Sequence, residues 1–278
     1  MTPTRRFRGA WIEILALLIT GIVFVVPFVF ILFTAAKERV ESSALEFTLP
    51  EHWLLVDNFA EVIGARQGLM VTAMRNSLIL TVASVTLIVL LSAMVGFVLQ
   101  RRKDRLGSLV SAMVIAGLVI PPAIVPTIYV LQGIGLFKTL FGLILVEVAF
   151  LMPFSVLIFR TFMTAIPREL DEAAIIDGAS PTALFLQVIL PLLRPAIVTV
   201  IVVSSVAVYN DFVNPLYFLP GTANATVQLT LFDFQSQFNT RWNLLFADVL
   251  LITIPPLLMF IFFQRQIVSG MTAGAVKG

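Results

Sequence analysis

The residues most able to do chemistry in this sequence are four carboxylates that lie inside or beside long apolar stretches. They are Glu13, Glu147, Asp211 and Asp248. A charged group is costly in a lipid environment, so each of these residues calls for a functional explanation. We expect Glu13 to be structural because it lies near one end of its stretch. We expect Glu147 and Asp248 to line an outward-facing vestibule.

Asp211 stands in a polar cluster with Tyr209, Asn210 and Asn214. Amides and carboxylates exchange hydrogen bonds with hydroxyl groups, and an aromatic face stacks on a sugar ring. The cluster therefore fits a substrate path for a polyhydroxylated ligand. An equally good reading is structural: Asn210 and Asp211 would cap an unwound stretch and bond to neighbouring helices. The residues alone do not decide between the two.

Groups suited to catalysis or metal binding are scarce. The only histidine is His52, and there is no cysteine. No H-E-x-x-H run, Ser/His pair or paired intramembrane carboxylates argue for an enzyme, and no G-x-x-x-x-G-K-[ST] run argues for a nucleotide site. We expect no catalytic residue, metal or cofactor on this chain. The net charge of +2 is too small to favour nucleic acid.

The elements that must position these residues are membrane helices. The chain is 59% hydrophobic and 12% charged, with a mean hydropathy of +1.02, whereas soluble domains are about 45–50% apolar and about 25% charged. Because a span needs about 20 apolar residues, we predict an all-α polytopic membrane protein with six spans. The predicted spans are about 11–34, 73–99, 108–132, 140–163, 195–219 and 245–264. Prolines within them predict kinks.

Basic residues near the ends of spans set the orientation of a membrane protein. If the N-terminus is cytoplasmic, twelve of the eighteen Lys and Arg residues fall inside, including the cluster at 101–105. Both termini and the loop between spans four and five are therefore predicted to be cytoplasmic. Residues 35–72 and 220–244 would lie outside. The first apolar run is longer than a signal-peptide core of about 7–15 residues, so we interpret it as an uncleaved span.

The predicted cytoplasmic loop 166–195 reads as two short helices with a corner between them. Pro167 suits a first helical turn, and Gly178 suits the left-handed position that closes a helix. Ser180 and Pro181 then provide an N-cap and a first-turn proline. The second helix would run over 182–190 and stop near Pro191 and Pro195.

Small and apolar side chains make this loop unusual for a connector in water: Leu170, Ala173, Ala174 and Ile175. Exposed apolar residues on a cytoplasmic helix indicate a protein partner. The alternative is an amphipathic helix that rests on the membrane surface.

The loop also resembles the signature of binding-protein-dependent ABC importer permeases, which is written EAA, three residues, G, nine residues, I, one residue, LP. Here Glu172, Ala173 and Ala174 are followed by Gly178, and the pattern ends with Val188, Leu190 and Pro191. The only departure is Val188 in place of Ile.

The resemblance implies a bacterial inner-membrane subunit of type I importer architecture whose loop 167–191 docks on an ATPase. It implies that Glu172 contacts the ATPase, that Ala173 and Ala174 allow close packing, and that Gly178 forms the corner. Leu190 and Pro191 would lead into span five, and we include Asp177 in the docking surface. The implied partners are a second permease subunit, two ATPase subunits that hold ATP and Mg, and an extracytoplasmic binding protein.

Three further stretches are similar to the carbohydrate branch of that family, and to the shorter permease of maltose-type importers: 75–77, 209–212 and 270–278. The resemblance implies a sugar as substrate; a polyamine or amino acid is the alternative within the same class. It also implies that Gly221, Asn224 and Gln228 in the outer loop contact the binding protein, and that the tail 272–278 makes a regulatory or docking contact.

These inferences divide the chain into an N-terminal span with its outer excursion, a permease core and a cytoplasmic tail. The boundaries are 1–72, 73–270 and 271–278. An ion-coupled secondary transporter would show inverted repeats and more charge near the midplane, so six spans with one cytoplasmic motif argue against that class.

Overall fold

The computed structural model of this chain describes residues 3–102, 104–235 and 240–275, with side chains over 13–102, 104–235 and 240–264. Within these residues the chain is helical and has no β-strand. The helices are α1 (Pro3–Ala36), α2 (Arg39–Ser43), α3 (Leu55–Arg101), α4 (Arg105–Val119), α5 (Ile124–Gly133), α6 (Leu140–Met163), α7 (Glu169–Ile176), α8 (Pro181–Ala183), a π-helix (Leu184–Ile189), α9 (Leu190–Leu192), α10 (Arg194–Tyr209), α11 (Val213–Phe218), α12 (Val227–Thr230), a 3₁₀-helix (Leu231–Phe234) and α13 (Trp242–Ala275).

Four helical segments are long and apolar enough to cross a membrane: Glu13–Ala36, Leu55–Arg101, Leu140–Met163 and Trp242–Gln264. Two further pairs of helices pass the same test only when each pair is taken together. They are α4 with α5, bent by 119°, and Pro181–Leu192 with α10, bent by 76°. The described residues therefore contain four spans, or up to six. The predicted all-α class is confirmed, and the predicted span 140–163 coincides with α6.

The predicted span 108–132 consists of two helices, with a break at the prolines that were predicted to kink it. Helix α4 ends at Val119 and α5 begins at Ile124. Pro121 and Pro122 lie in the gap, where they cannot donate an N–H and where they restrict the residues before them. The predicted span 195–219 is also interrupted, because α10 ends at Tyr209.

Helix α3 contains a break near its start. Ala65 has a ψ of 144°, and Arg66, Gln67 and Gly68 have φ angles of +46°, +60° and +79°. Three successive residues in the left-handed region cannot continue a right-handed helix. The regular part of α3 therefore begins after Gly68 and runs to Arg101.

One compact unit comprises residues 72–229 and 255–278. Its apolar core is built from α3, α6, the π-helix and α10, and includes Leu80, Ile88, Leu143, Phe159, Ile189 and Val200. Gly96 lets α3 approach α6 closely, since an added Cβ would lie 3.0 Å from the Cβ of Phe159. This unit holds loop 166–195 and the polar cluster.

The other compact unit comprises residues 1–71 and 230–254. Its buried Lys37 donates from Nζ to the backbone carbonyl of Glu46 at 3.0 Å. Asn58 Nδ2 in turn donates to the backbone carbonyl of Lys37 at 3.0 Å. These bonds satisfy a buried cation and fasten the segment after α1 to the beginning of α3.

Candidate functional site

The first helix of loop 166–195 is α7, whose N-cap residue is Arg168. Pro167 therefore precedes the cap, and its predicted place in the first helical turn is wrong. Three acidic residues, Glu169, Asp171 and Glu172, occupy the first turn. Negative charge there is stabilised by the positive end of the helix dipole.

The predicted corner at Gly178 is present. Gly178 has a φ of +83°, a conformation that costs other residues more than glycine. Its N–H donates to the carbonyl of Ile175 at 3.0 Å, and the N–H of Ala179 donates to the carbonyl of Ala174 at 2.9 Å. This pair of bonds is a Schellman motif, which satisfies the last carbonyls of α7.

The second helical segment starts and ends near the predicted positions. The Ser180 hydroxyl accepts from the N–H of Ala183 at 3.2 Å, and Pro181 takes the first helical position. The segment continues through the π-helix and α9 to Leu192, between the two prolines near which it was predicted to stop. The wider π-turn bonds i to i+5, and this accommodates Pro191, which has no N–H to donate.

Helix α7 has no buried residue. Glu172, Ala173, Asp177 and Gly178 are exposed, and Ile176 is 85% exposed. The π-helix behaves differently, because it buries Leu184, Phe185 and Ile189 in the core. Ala174 and Leu190 are half-buried and Pro191 is exposed. The loop therefore has a buried base and presents α7 and the corner outward.

Sequence reasoning missed the contacts that hold the start of α7. Arg101, the last residue of α3, pairs with Asp171: Nε lies 2.7 Å from Oδ2, and Nη2 donates to Oδ1 at 3.0 Å. Arg168 Nη2 donates to the backbone carbonyls of Gln100 at 3.3 Å and Arg101 at 3.5 Å. Only the arginine cluster at 101–105 and the acidic first turn of α7 could have suggested this pairing.

The polar cluster forms at the interruption between α10 and α11. Asp211 Oδ1 accepts from the backbone N–H of Val213 at 2.8 Å and of Asn214 at 3.3 Å. Asn214 Nδ2 donates to Glu147 Oε1 at 3.1 Å. The structural reading of Asp211 as a cap is therefore confirmed. Asn210 remains exposed beside it, and Tyr209 is buried.

Glu147 and Asp248 do not face an open vestibule in the described part of the chain, and that expectation is wrong. Both side chains are buried. Glu147 accepts from Asn214, while Asp248 accepts from the hydroxyl of Thr230 at 2.9 and 3.2 Å. Each carboxyl is thus kept inside by a nearby hydrogen-bond donor.

The outer loop is held by its own amides. Asn224 Nδ2 donates to the carbonyl of Lys138 at 2.9 Å, and Gln228 Nε2 donates to the carbonyl of Tyr209 at 3.4 Å. Gly221 is exposed, with a φ of +107°. The three predicted contact residues thus lie in one loop. Of the three, Gly221 is exposed, whereas Asn224 and Gln228 are half-buried.

A second set of anchors for this loop comes from the start of the regular part of α3. Asn76 Nδ2 donates to the carbonyl of Ala225 at 3.1 Å, and Ser77 Oγ accepts from the N–H of Val227 at 3.0 Å. Residues 75–77 were identified from the sequence as similar to the family. Their hydrogen bonds to a loop about 150 residues away were not predicted.

Some predictions fall on residues outside the described set. The tail 272–278 extends past Ala275, and its side chains are not described. The same holds for side chains used in the orientation argument: Arg5, Arg6, Arg8, Lys103, Arg265 and Lys277.

The family described as "Binding-protein-dependent transport system inner membrane component" matches residues 88–273. The chain is similar to the putative ABC transporter permease protein ORF2 of Caldicellulosiruptor sp. (strain Rt8B.4), with 36% identity over 91% of this chain and 92% of that protein. It is also similar to the diacetylchitobiose uptake system permease protein NgcG of Streptomyces coelicolor, with 31% identity over 97% and 90%. The probable starch degradation products transport system permease protein AmyC of Thermoanaerobacterium thermosulfurigenes is 30% identical over 94% of each chain.

Among solved structures, the fold matches a bacterial ABC transporter involved in the import of the acidic polysaccharide alginate. The TM-score is 0.81 at 16% identity, covering 95% of this chain and 98% of that chain. A structure of the bacterial alginate transporter in complex with its alginate pentasaccharide-bound periplasmic protein gives a TM-score of 0.67, also at 16% identity, over 95% and 96%. At this identity the likeness establishes the fold.

Proposed function

Since this chain belongs to the family of binding-protein-dependent transport system inner membrane components, we propose that it forms half of the translocation path of an ATP-driven sugar importer. The observation that carries the proposal is α7, a helix without a buried residue that bears the family signature at Glu172, Ala173 and Ala174. A helix that exposes Ile176 beside small and acidic residues fits a protein partner better than water.

The spans in this proposal number six. They are α1, α3, the bent pair of α4 and α5, α6, α10 continued by α11, and α13. Helix α10 has 16 residues and is therefore about 24 Å long, so α11 is needed to complete its crossing. Both termini and loop 166–195 lie in the cytoplasm, which follows from the distribution of basic residues. The division of the chain at 72 and 270 belongs to the same proposal.

Loop 166–195 transmits the free energy of ATP. Two ATPase subunits hold ATP and Mg, and each docks on the loop of one permease subunit. On this chain Glu172 makes the polar contact, and Ala173 and Ala174 let the ATPase approach closely. Asp177 and Gly178 shape the corner, while Leu190 and Pro191 join the loop to α10. Closure of the ATPase dimer then moves the helices as rigid bodies and alternates access.

The substrate path on this chain is formed by Tyr209, Asn210, Asp211 and Asn214. The break between α10 and α11 exposes polar groups within a span, as sites for polar solutes require. Asp211 serves as the cap that keeps the break open, and Asn210 offers its amide to a sugar hydroxyl.

A sugar is favoured as the substrate by the names of the relatives, which transport diacetylchitobiose and starch degradation products. A polyamine or amino acid is the alternative. A thermal-shift screen of the associated extracytoplasmic binding protein separates them: stabilisation by oligosaccharides supports the sugar, and stabilisation by non-sugars alone rejects it. Gly221, Asn224 and Gln228 would contact that binding protein, and the tail 272–278 would contact the ATPase.

Two matched variants test the docking assignment. Glu172 and Glu169 are both exposed acids in the first turn of α7, but only Glu172 belongs to the signature. We expect E172A to lower ATPase affinity by about tenfold, or ~1.4 kcal/mol, and E169A to change it by less than about twofold. Affinity is measured on full-length chain purified in detergent. Equal effects of the two variants would reject the assignment.

A further inference from the structure

The start of α7 and the end of α3 hold each other through two arginines. Arg101 forms an ion pair with Asp171, with Nε 2.7 Å from Oδ2 and a hydrogen bond of 3.0 Å from Nη2 to Oδ1, and it also donates to the carbonyl of Ile166 at 3.4 Å. Arg168 reaches the opposite way, to the final carbonyls of α3. Those carbonyls have no partner within the helix, and a cation there also complements the helix dipole.

The strength of the Arg101/Asp171 ion pair depends on how far its two side chains are buried from water. The two side chains are 17% and 14% exposed, so water screens the pair only weakly, and the contact from Nη2 to Oδ1 is a charge-assisted hydrogen bond. The pair of Arg102 and Asp104 is equally short, at 2.8 Å, but 54% and 44% exposed. A pair of that kind contributes little. The exposed Arg102/Asp104 pair is therefore a control for the buried Arg101/Asp171 pair.

Apolar packing holds α7 only weakly, because the helix buries none of its residues and packs against the core through the half-buried Ala174. At its other end α7 turns at Gly178, and the hydrogen bonds of that corner are made within the loop and do not reach α3. The contacts of Arg101 and Arg168 therefore tie the start of α7 to the end of α3.

Helix α3 leads from this link to the opposite end of the unit. Its regular part continues from Arg101 back to Asn76, 25 residues away, which is about 38 Å at 1.5 Å per residue and longer than the hydrocarbon core of a bilayer. At that end Asn76 and Ser77 hold the outer loop at Ala225 and Val227. One rigid helix therefore joins α7 to the outer loop.

We infer that Arg101 and Asp171 are positioning residues that make α3 follow α7, so that displacement of α7 by the ATPase reaches the outer loop. This inference rests on the proposed function, since it needs an ATPase docked on α7. It adds a path for the motion: Asp171, Arg101, the regular part of α3, Asn76 and the outer loop.

The test uses the full chain in complex with its copurifying ATPase subunits, whose own cysteines have been replaced. This chain has no cysteine of its own, so introduced cysteines report alone. Spin labels at M94C on α3 and I176C on α7 measure the distance between the two helices with and without ATP. A separate variant, T222C, reports the outer loop through its reaction rate with a membrane-impermeant maleimide.

In the otherwise unchanged chain we expect one narrow distance that ATP does not alter, and a T222C rate that ATP changes by at least about fivefold. In D171N the distance should broaden and shift with ATP, and the change in the T222C rate should fall below about twofold. The double variant R101D/D171R should restore both readouts, which a general loss of folding could not do. D104N, at the exposed pair, should behave like the unchanged chain.

The possible outcomes distinguish a failure of this inference from a failure of the proposed function. If ATPase copurifies with D171N and both readouts match the unchanged chain, the inference is overturned while the docking proposal stands. If D171N and R101D/D171R are equally defective, the pair is not a link and the inference is again overturned. If no ATPase copurifies with the unchanged chain, the proposed function itself fails.

Discussion

Substitutions of Gly178 test the docking corner, because they change only the conformational energy of the backbone there. Its φ of +83° lies in the left-handed region, and apart from its own atoms and those of its two chain neighbours no heavy atom lies within 4 Å of the position that a Cβ would take. A substitution there meets no steric clash, so its cost is the conformational cost. For an L-residue that cost is about 1–2 kcal/mol, which lowers the population of the corner by about 5–30-fold.

The size of the effect should follow the tolerance of each residue for the left-handed region. Asn is enriched there and β-branched residues are rare, so we expect the order of ATPase affinity G178N, then G178A, then G178V. Affinity is measured by binding of the purified ATPase to full-length chain in detergent. Each variant must be shown to elute as a monodisperse species before it is compared.

Gly135 provides the matched control. It also has a positive φ, +72°, and open space around its Cβ position, but it lies in the connection between α5 and α6. G135A should pay the same backbone cost without loss of ATPase affinity. The reasoning is refuted if G135A weakens binding as much as G178A, or if G178N is as harmful as G178V.

Two further predictions concern other elements. N76A removes the amide that donates to the Ala225 carbonyl; at a buried site this costs about 1–3 kcal/mol, so hydrogen exchange across 225–228 should accelerate, while T86A on the exposed side of α3 should leave it unchanged. The N–H of Gly107 donates to Asp104 and, as the main cause, holds the pKa of that carboxyl below its usual 3.8. The stabilisation of α4 by this charged cap is therefore present above pH 3.8 and is lost as the pH falls through the lowered pKa. D104N keeps a neutral cap, so its deficit in Tm should shrink from about pH 6 to about pH 3; a deficit independent of pH would contradict this reasoning.

Hydropathy and residue preferences predicted the parts of the fold in which a residue determines the conformation of its own helical turn. Hydropathy located α6, and glycine and N-cap preferences located the corner at Gly178 and the helix start at Ser180. They also placed a kink at Pro121 and Pro122, where α4 and α5 are separated, but they did not predict the sharpness of the bend or the π-helix before Pro191.

Long-range pairing explains what the sequence could not predict in the candidate site. Asp171 and Arg101 are 70 residues apart, and Asn76 and Ala225 are 149 apart. Neither pair carries a spacing signal, because helix packing brings them together. Glu147 was assigned to a vestibule for the same reason: its partner Asn214 lies on another helix.

The central claim is that α7 docks on an ATPase, and a single cysteine tests it most directly. Ile176 is 85% exposed on α7, and this chain has no other cysteine to compete. We predict that I176C in membranes forms a cross-link to the ATPase subunit through a short bifunctional maleimide, and that T222C in the outer loop does not. A chain whose I176C forms no ATPase cross-link, although that ATPase copurifies with it, would contradict the account.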